Sequence, residues 1–315
     1  MIQSISLCAR VGLNLHNLNN EGTEGNQQQT RMVHILDEKG QKCVVNAVSG
    51  DMFKHIFVEH LTPLLLDAKE LVCPNAAALH PDRILLDKSF MEEAKKASNG
   101  ESIQDLMIKN CAVTDIAGTL YAEKAVARKS TVEFGWVVGI PEYTRTEQYF
   151  HVKYDPSRGS GTGTESVAGT QAIFHRPASS GLYALVSHLE LYRIGRNDIS
   201  RKLVVEEENR KARMRAAIQA LGATLIAPRG AQRNTQFPHI TSAEGVITVS
   251  RSSIPAPTVS PLNNSYSEEI QAIANRLNGL SNKPEANADN GAIEFHLFKS
   301  ASDALGVLQR IIKEI

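Results

Sequence analysis

Alternation fixes the first element of this chain. Ile5, Leu7, Ala9, Val11, Leu13 and Leu15 interleave with Ser4, Ser6, Cys8, Arg10, Gly12 and Asn14, which is the period of a half-buried strand. A chain that opens this way begins in a sheet. The strand runs into an amide- and glycine-rich loop, Leu18-Asn19-Asn20-Glu21-Gly22-Thr23-Glu24-Gly25-Asn26, whose main-chain N–H groups are accessible and whose amides donate without adding charge. Then comes Asn46-Ala47-Val48-Ser49-Gly50-Asp51-Met52-Phe53-Lys54-His55. Ser49 is a good N-cap, and Met52, Phe53, Ile56, Phe57, His60 and Leu61 recur at helical spacing, leaving Lys54 and His55 near the first turn. A helix start beside a Lys suits a phosphate. Taken alone, the same residues describe first an ordinary capped helix with a solvated Lys.

Composition sets the outer limits. With 315 residues, 42% of them hydrophobic, the chain can bury one large core with insertions or two smaller ones. No apolar run approaches bilayer length, and Gln3, Ser4, Ser6 and Arg10 fall where a signal peptide needs apolar residues, so a cytoplasmic protein without membrane contact is expected. Cys8, Cys43, Cys73 and Cys111 are scattered with no C-x-x-C pair, which supports core thiols over a disulfide framework or a zinc site. A net charge of +0 argues against non-specific coating of DNA. It allows local basic patches, and it lets copies of the chain stack with little repulsion.

Residues 67–131 form a mixed helical insertion punctuated by Pro81-Asp82-Arg83 and the Asn99-Gly100 turn. Val132, Phe134, Trp136, Val138 and Ile140 then predict one further strand, stopped by Pro141. Residues 142–180 change character, with Tyr143, Arg145, Tyr149, Phe150, His151, Lys153, Tyr154 and Arg158 preceding the glycine-rich run Gly159 to Thr164. Such a stretch fits a projecting hairpin whose aromatics wedge between bases while cations meet phosphates, or else a disordered surface loop. Its glycine spacing matches neither a P-loop nor a dinucleotide fingerprint.

Strand character returns from Gly181 to Leu191. A helix follows with Met214, Ala217, Ile218 and Leu221 on one face, and Arg210, Lys211, Arg213 and Arg215 beside it as an expected solvated basic face. It leads into a second polar loop, Ala227-Pro228-Arg229-Gly230-Ala231-Gln232-Arg233-Asn234-Thr235-Gln236. Two such loops suggest one nucleic-acid track. Residues 251–265 suggest a surface connection; Ile293, Phe295 and Leu297 then alternate, and Leu305, Leu308, Ile312 and Ile315 recur at helical spacing.

Several of these segments together resemble a known family. Arg10-Val11 through Asn19-Asn20-Glu21-Gly22, Ala47 to His55, Cys111-Ala112-Val113-Thr114-Asp115-Ile116-Ala117-Gly118, Ser180-Gly181-Leu182-Tyr183 and Pro228 to Arg233 are similar to the CRISPR-associated Cascade backbone subunit in its DevR-type branch, within the RAMP superfamily. The resemblance covers nearly the whole chain. It implies an α+β fold: an RRM-like (ferredoxin-like) palm from residues 1–66, 132–141 and 181–315, helical fingers from 67–131, and a β-hairpin thumb from 142–180. It also implies a non-catalytic subunit of a type I effector, needing no cofactor or metal, whose copies line up along a guide RNA (crRNA) beside other Cascade subunits. There each thumb folds over the strand, and the remaining bases stay free to pair with target DNA. Carried over by position, Ser49, Lys54 and His55 hold the guide backbone; Asn19, Asn20, Thr23 and Asn26 face them; Arg158, Gln232 and Arg233 add contacts. Tyr149, Phe150 and Phe174 are candidates for the thumb wedge.

Two rivals remain at this level. Equivalent subunits of related effectors cut RNA with an Asp and a metal in the first loop, whereas this loop offers Glu21 and Glu24 and no Asp. A DNA-binding autoregulator is the other, for which no helix-turn-helix pattern or strongly basic domain is visible.

Overall fold

The computed structural model describes residues 1–19, 21–154, 171–280 and 292–315. β1 (Ser4–His16) is buried on both faces. Ile5, Leu7, Ala9, Val11 and Leu13 enter the principal core, while Cys8 joins a second cluster with Val246, Tyr266 and Ile270. The half-buried strand expected from alternation is therefore corrected, and the cause lies far along the chain. Residues 251–265 lie partly against the sheet: Ala256 is buried, and its carbonyl accepts a hydrogen bond from Ser6 Oγ at 2.9 Å. Leu15 also leaves the pattern, because a positive φ of 54° near the end of the strand turns it outward.

Short strands β2 (Thr23–Glu24) and β3 (Gln27–Gln28) precede the hairpin of β4 (Met32–Leu36) and β5 (Lys42–Val48). Helix α1 (Gly50–Asp67) follows, capped by Ser49, whose Oγ accepts from Met52 N–H at 3.2 Å. The segment expected to be mixed and helical gives α2 (Pro74–Ala77), α3 (Lys88–Lys96), α4 (Gly100–Asn110), α5 (Ala112–Ala117) and the ribbon β6 (Thr119–Tyr121) with β7 (Val126–Arg128). The rest comprises β8 (Val132–Phe134), β9 (Val137–Gly139), β10 (Arg145–Tyr154), β11 (Gln171–Leu189), α6 (Glu207–Ile226), β12 (His239–Ser250), α7 (Tyr266–Gly279), β13 (Ile293–Phe298) and α8 (Ala301–Lys313). Seven strands line up as β13-β12-β1-β11-β9-β5-β4, with antiparallel neighbours.

The single strand predicted across Val132–Ile140 is broken in two. Ser187 faces Phe134 and Ala184 faces Val138, so one extra residue sits on this side of the ladder. That is a β-bulge, and it reverses which residues face the core. Val137 is buried and Trp136 is not. β10 pairs with the first part of β11, from Arg145 opposite Ser180 to Tyr154 opposite Gln171, and the second part of β11 pairs with β1. Gly181 marks the change of partner, where an added Cβ would lie 2.3 Å from the Tyr143 carbonyl oxygen.

Helix α1 packs on α5 and α6, and α6 packs on α8, gathering Phe53, Phe57, Leu61, Met214, Ile218, Leu221 and Leu308 into one core. Beside it lies an ionic cluster that overturns the expected solvated basic face of α6, since Arg210 and Arg213 are buried. Asp115 Oδ1 meets Arg128 Nη2 at 2.7 Å and its Oδ2 meets Arg213 Nη1 at 3.0 Å. Arg213 Nε holds Glu70 at 2.6 Å, and Gly195 N–H donates to Asp115 Oδ2 at 2.9 Å. Buried charge is tolerated only when paired and hydrogen-bonded. Hydrophobic periodicity cannot reveal such pairing, because the partners come from Glu70 and Asp115, far away in sequence.

Removing one member of a buried pair strands the others. Asp115→Ala should cost about 3–5 kcal/mol, whereas Glu314→Ala, which cuts an exposed pair with Arg251, should cost about 1 kcal/mol or less. Urea unfolding midpoints of the two variants check the contrast. Equal losses would contradict it.

Candidate nucleic-acid interface

The two polar loops meet. Ala231 N–H donates to Leu18 O at 3.0 Å and Gln232 N–H to Asn17 O at 3.3 Å. Gly230 permits the approach, since a Cβ there would sit 2.5 Å from Leu18 Cδ2 and 2.7 Å from its Cα. The late loop also reaches the paired strands: Gln236 Nε2 donates to Pro177 O at 2.8 Å, and Arg176 Nη1 lies 3.5 Å from Thr235 Oγ1.

Among the expected contact residues, Asn19 is turned inward. Its side chain is buried, donates to Ala47 O and accepts Ser49 N–H at 3.3 Å, so it ties the end of β1 to the start of α1. Ser49 spends its hydroxyl on the helix cap. Lys54 lines an open cavity of about 310 Å³ with Asp51, Glu133 and Trp136, and burial, with help from the nearby Arg83 charge, lowers its pKa. His55 Nε2 and Arg233 Nη1 share the Glu59 carboxylate, at 3.1 and 2.7 Å. Thr23 is exposed in β2. Asn26 accepts His175 N–H at 2.9 Å through its carbonyl, which docks the first loop on β11. Asn20 and Arg158, together with the run Gly159 to Thr164, lie outside the described residues.

The ladder also sorts the wedge candidates. Tyr149 faces Arg176, Phe150 faces His175 and His151 faces Phe174. Directly opposed residues share a face and successive residues alternate, so Tyr149, His151, Phe174 and Arg176 occupy one face and Phe150 and His175 the other. His151 stacks on Phe174 with centroids 5.5 Å apart, and Arg176 lies 5.0 Å from the Phe174 centroid. Tyr149 and Phe150 are exposed.

Five residues of this region, Arg31, Trp136, His16, Asn17 and His60, lie outside the contact set that the sequence implies. Arg31 is held by Glu21, Nη2 to Oε2 at 2.8 Å, and its guanidinium carbon lies 5.1 Å from the Trp136 centroid. Gly135 beside Trp136 was the available signal, since a glycine inside a strand often marks a bulge. His16 and Asn17 are buried at the loop junction, with no partner among the described residues for either ring nitrogen or either amide atom. His60, on the inner face of α1, hydrogen-bonds Ala227 O through Nε2 at 2.8 Å. Among the described residues no group of three or more His, Cys, Asp or Glu is placed to hold a metal ion, and no helix is long and apolar enough to cross a membrane.

An antiparallel sheet with helices packed on it and polar loops gathered beside a paired-strand extension defines a mixed α/β class already seen in solved complexes. The chain matches a chain of a "CRISPR RNA-guided surveillance complex, pre-nicking" over 98% of its own length and 99% of that chain, with TM-score 0.52 at 12% identity. A chain of a "CRISPR RNA-guided surveillance complex" matches over the same shares, with TM-score 0.52 at 10% identity. These likenesses concern fold. The sequence supplies the narrower assignment: the profile described as "CRISPR-associated negative auto-regulator DevR/Csa2" matches residues 7–271, and the chain belongs to that family. It is 28% identical over 278 residues to the "CRISPR-associated protein Cas7/Cst2/DevR" of Methanocaldococcus jannaschii, covering 80% of this chain and 82% of that protein. It is 24% identical over 261 residues to the "CRISPR-associated aCascade subunit Cas7/Csa2 2" of Saccharolobus solfataricus, covering 78% of each. The family resemblance drawn from the motifs is thereby borne out.

His16 gives the junction a pH signature. Burial pushes its imidazole down to about 4, while an unfolded histidine takes its proton near about 6.5. Between those values the unfolded chain binds more protons, so stability falls as pH falls. The His16 share of that loss is about 3 kcal/mol from pH 7 to pH 4. A His16→Phe variant, followed by urea unfolding at both pH values, should lose that much less than the parent; an unchanged slope would refute the assignment.

Proposed function

We propose that the chain is a non-catalytic backbone subunit of a type I CRISPR effector, holding the sugar-phosphate backbone of a guide RNA while copies of itself stack along the strand and bases remain available to target DNA. The observation that carries this reading is the junction of the two polar loops, Ala231 N–H to Leu18 O and Gln232 N–H to Asn17 O, next to the capped start of α1. Main-chain donors, amides and a helix start contact phosphate and sugar, and such contacts carry no sequence information. A subunit serving any guide needs that indifference.

In this reading residues 1–66, 132–141 and 181–315 are an RRM-like palm, 67–131 the fingers and 142–180 the thumb. Asn19 acts by setting the geometry of Ser49 rather than by touching the guide. Thr23 and Gln232 offer contacts from the two loops. His55 and Arg233, both on Glu59, form a polar edge that reorganises around a phosphate. The Tyr149–Phe174 face of the arm, which also carries Arg176, is the stacking face, because Arg176 already reaches toward Thr235 of the late loop. The rival reading as a metal-dependent RNA endonuclease finds no support in the first loop, where Glu21 is held by Arg31 and Glu24 accepts from Gln29.

The test is binding of CRISPR-derived RNA by the full chain across a salt series. A Lys54→Ala/Arg176→Ala variant should bind unrelated guides with equal loss and should reduce the log–log salt slope by about 1.4, the value for two lost single-strand phosphate contacts. Loss that follows guide sequence would overturn the backbone assignment, and regularly spaced cuts in complementary RNA with Mg²⁺ would overturn the non-catalytic one.

A further inference from the structure

Trp136 is the single tryptophan of the chain, and 47% of its surface is open. The bulge between β8 and β9 puts it there, with Gly135 N–H donating to Val186 O at 2.9 Å. The indole is not loose on the surface. Arg31 lies over the ring, and Glu21 grips Arg31 through both carboxylate oxygens, at 2.8 and 2.5 Å. This chain of contacts fixes the ring in advance, so a partner stacking on it need not immobilise a free side chain.

The cavity that Trp136 lines, about 310 Å³, contains one cation, Lys54, and two carboxylates, Asp51 and Glu133. Lys54 can meet a phosphate at the cavity edge, while the two carboxylates suit hydroxyl and amino donors, and the volume sits at the small end of ligand-binding cavities. An aromatic face beside carboxylate acceptors matches the chemistry of a nucleoside: a flat base to stack, and ribose hydroxyls to donate. We propose that Trp136 is a stacking platform for one base of single-stranded RNA, with Asp51 and Glu133 accepting from its ribose or exocyclic donors. The inference rests on the guide-binding reading above and adds to it a base-contacting residue that lies away from the arm. Any base has a π-face, so stacking here is sequence-tolerant.

The lone indole is its own reporter. Full-length protein is titrated with single-stranded RNA while Trp136 emission and the anisotropy of a fluorescein-labelled copy of the strand are read together. Emission should fall at least about two-fold with the same midpoint as the anisotropy. Trp136→Ala should weaken binding by about five- to one-hundred-fold, the range for one stacked base, while Trp136→Phe keeps most of the affinity. RNA carrying 5-iodouridine should photocrosslink to the peptide containing Trp136. Binding by anisotropy with constant emission and no such crosslink would sink this inference and leave the guide-binding reading standing. An abasic strand of equal length that quenches as strongly would also overturn it, because the signal would then come from copies meeting. Free adenosine that quenches at the same nucleoside concentration would overturn the strand as the ligand. No binding in either channel would take down the guide-binding reading, and this one with it.

Discussion

A carboxylate shut away from water must find cations, and Asp115 finds two. Arg128 and Arg213 divide its oxygens between them, and Arg213 passes the constraint on to Glu70. A guanidinium cannot shed its proton to escape burial, so the rotation of α6 about its own axis is set by where Asp115 and Glu70 stand. At the far end of α6, His60 holds the Ala227 carbonyl, and the late polar loop starts there. The ionic cluster and that single hydrogen bond therefore aim residues 229–236 at Asn17 and Leu18. Remote as it is from the loops, the cluster holds the helix from whose end the late loop departs.

Where the sequence was legible, local chemistry and packing agreed. Ser49 caps α1, the 3.6-residue period of Phe53, Phe57 and Leu61 meets the core, and Ile5 to Leu13 alternate onto it. Local pattern failed where distant chain intervened. Arg210 and Arg213 sit at spacings that describe a solvated face equally well; Arg210 meets Glu207 one turn away, but only folding brings Glu70 and Asp115 to Arg213. Burial of the second face of β1 depends on residues 251–265, whose Ser and Pro content carries no sign of what they cover. Alternation carried through Gly135 puts Trp136 on one face with Val132 and Val138; one extra residue in the ladder reverses everything beyond it. At the interface the residue types were legible and their directions were not. Asn19 looks like Thr23 in sequence, yet one is buried and the other exposed.

The candidate interface has part of its charge already committed. Arg31 is tied to Glu21 and Arg233 to Glu59, and the chain as a whole carries +0. Affinity for nucleic acid that comes from unpaired cations is indifferent to the kind of strand and falls steeply with salt. Here Arg176 and Arg229 are accompanied at the surface by loop amides and aromatic rings, each weak and each demanding geometry. In the proposed role one copy alone would hold its stretch of guide loosely. Linking weak grips along one strand raises their joint strength by effective concentration, and near-neutral copies can sit side by side without strong repulsion. In that role weak local binding and neutral charge would work together: the strand would be gripped firmly only where several copies had assembled on it. A strongly basic subunit would bind RNA singly and leave assembly with nothing to select.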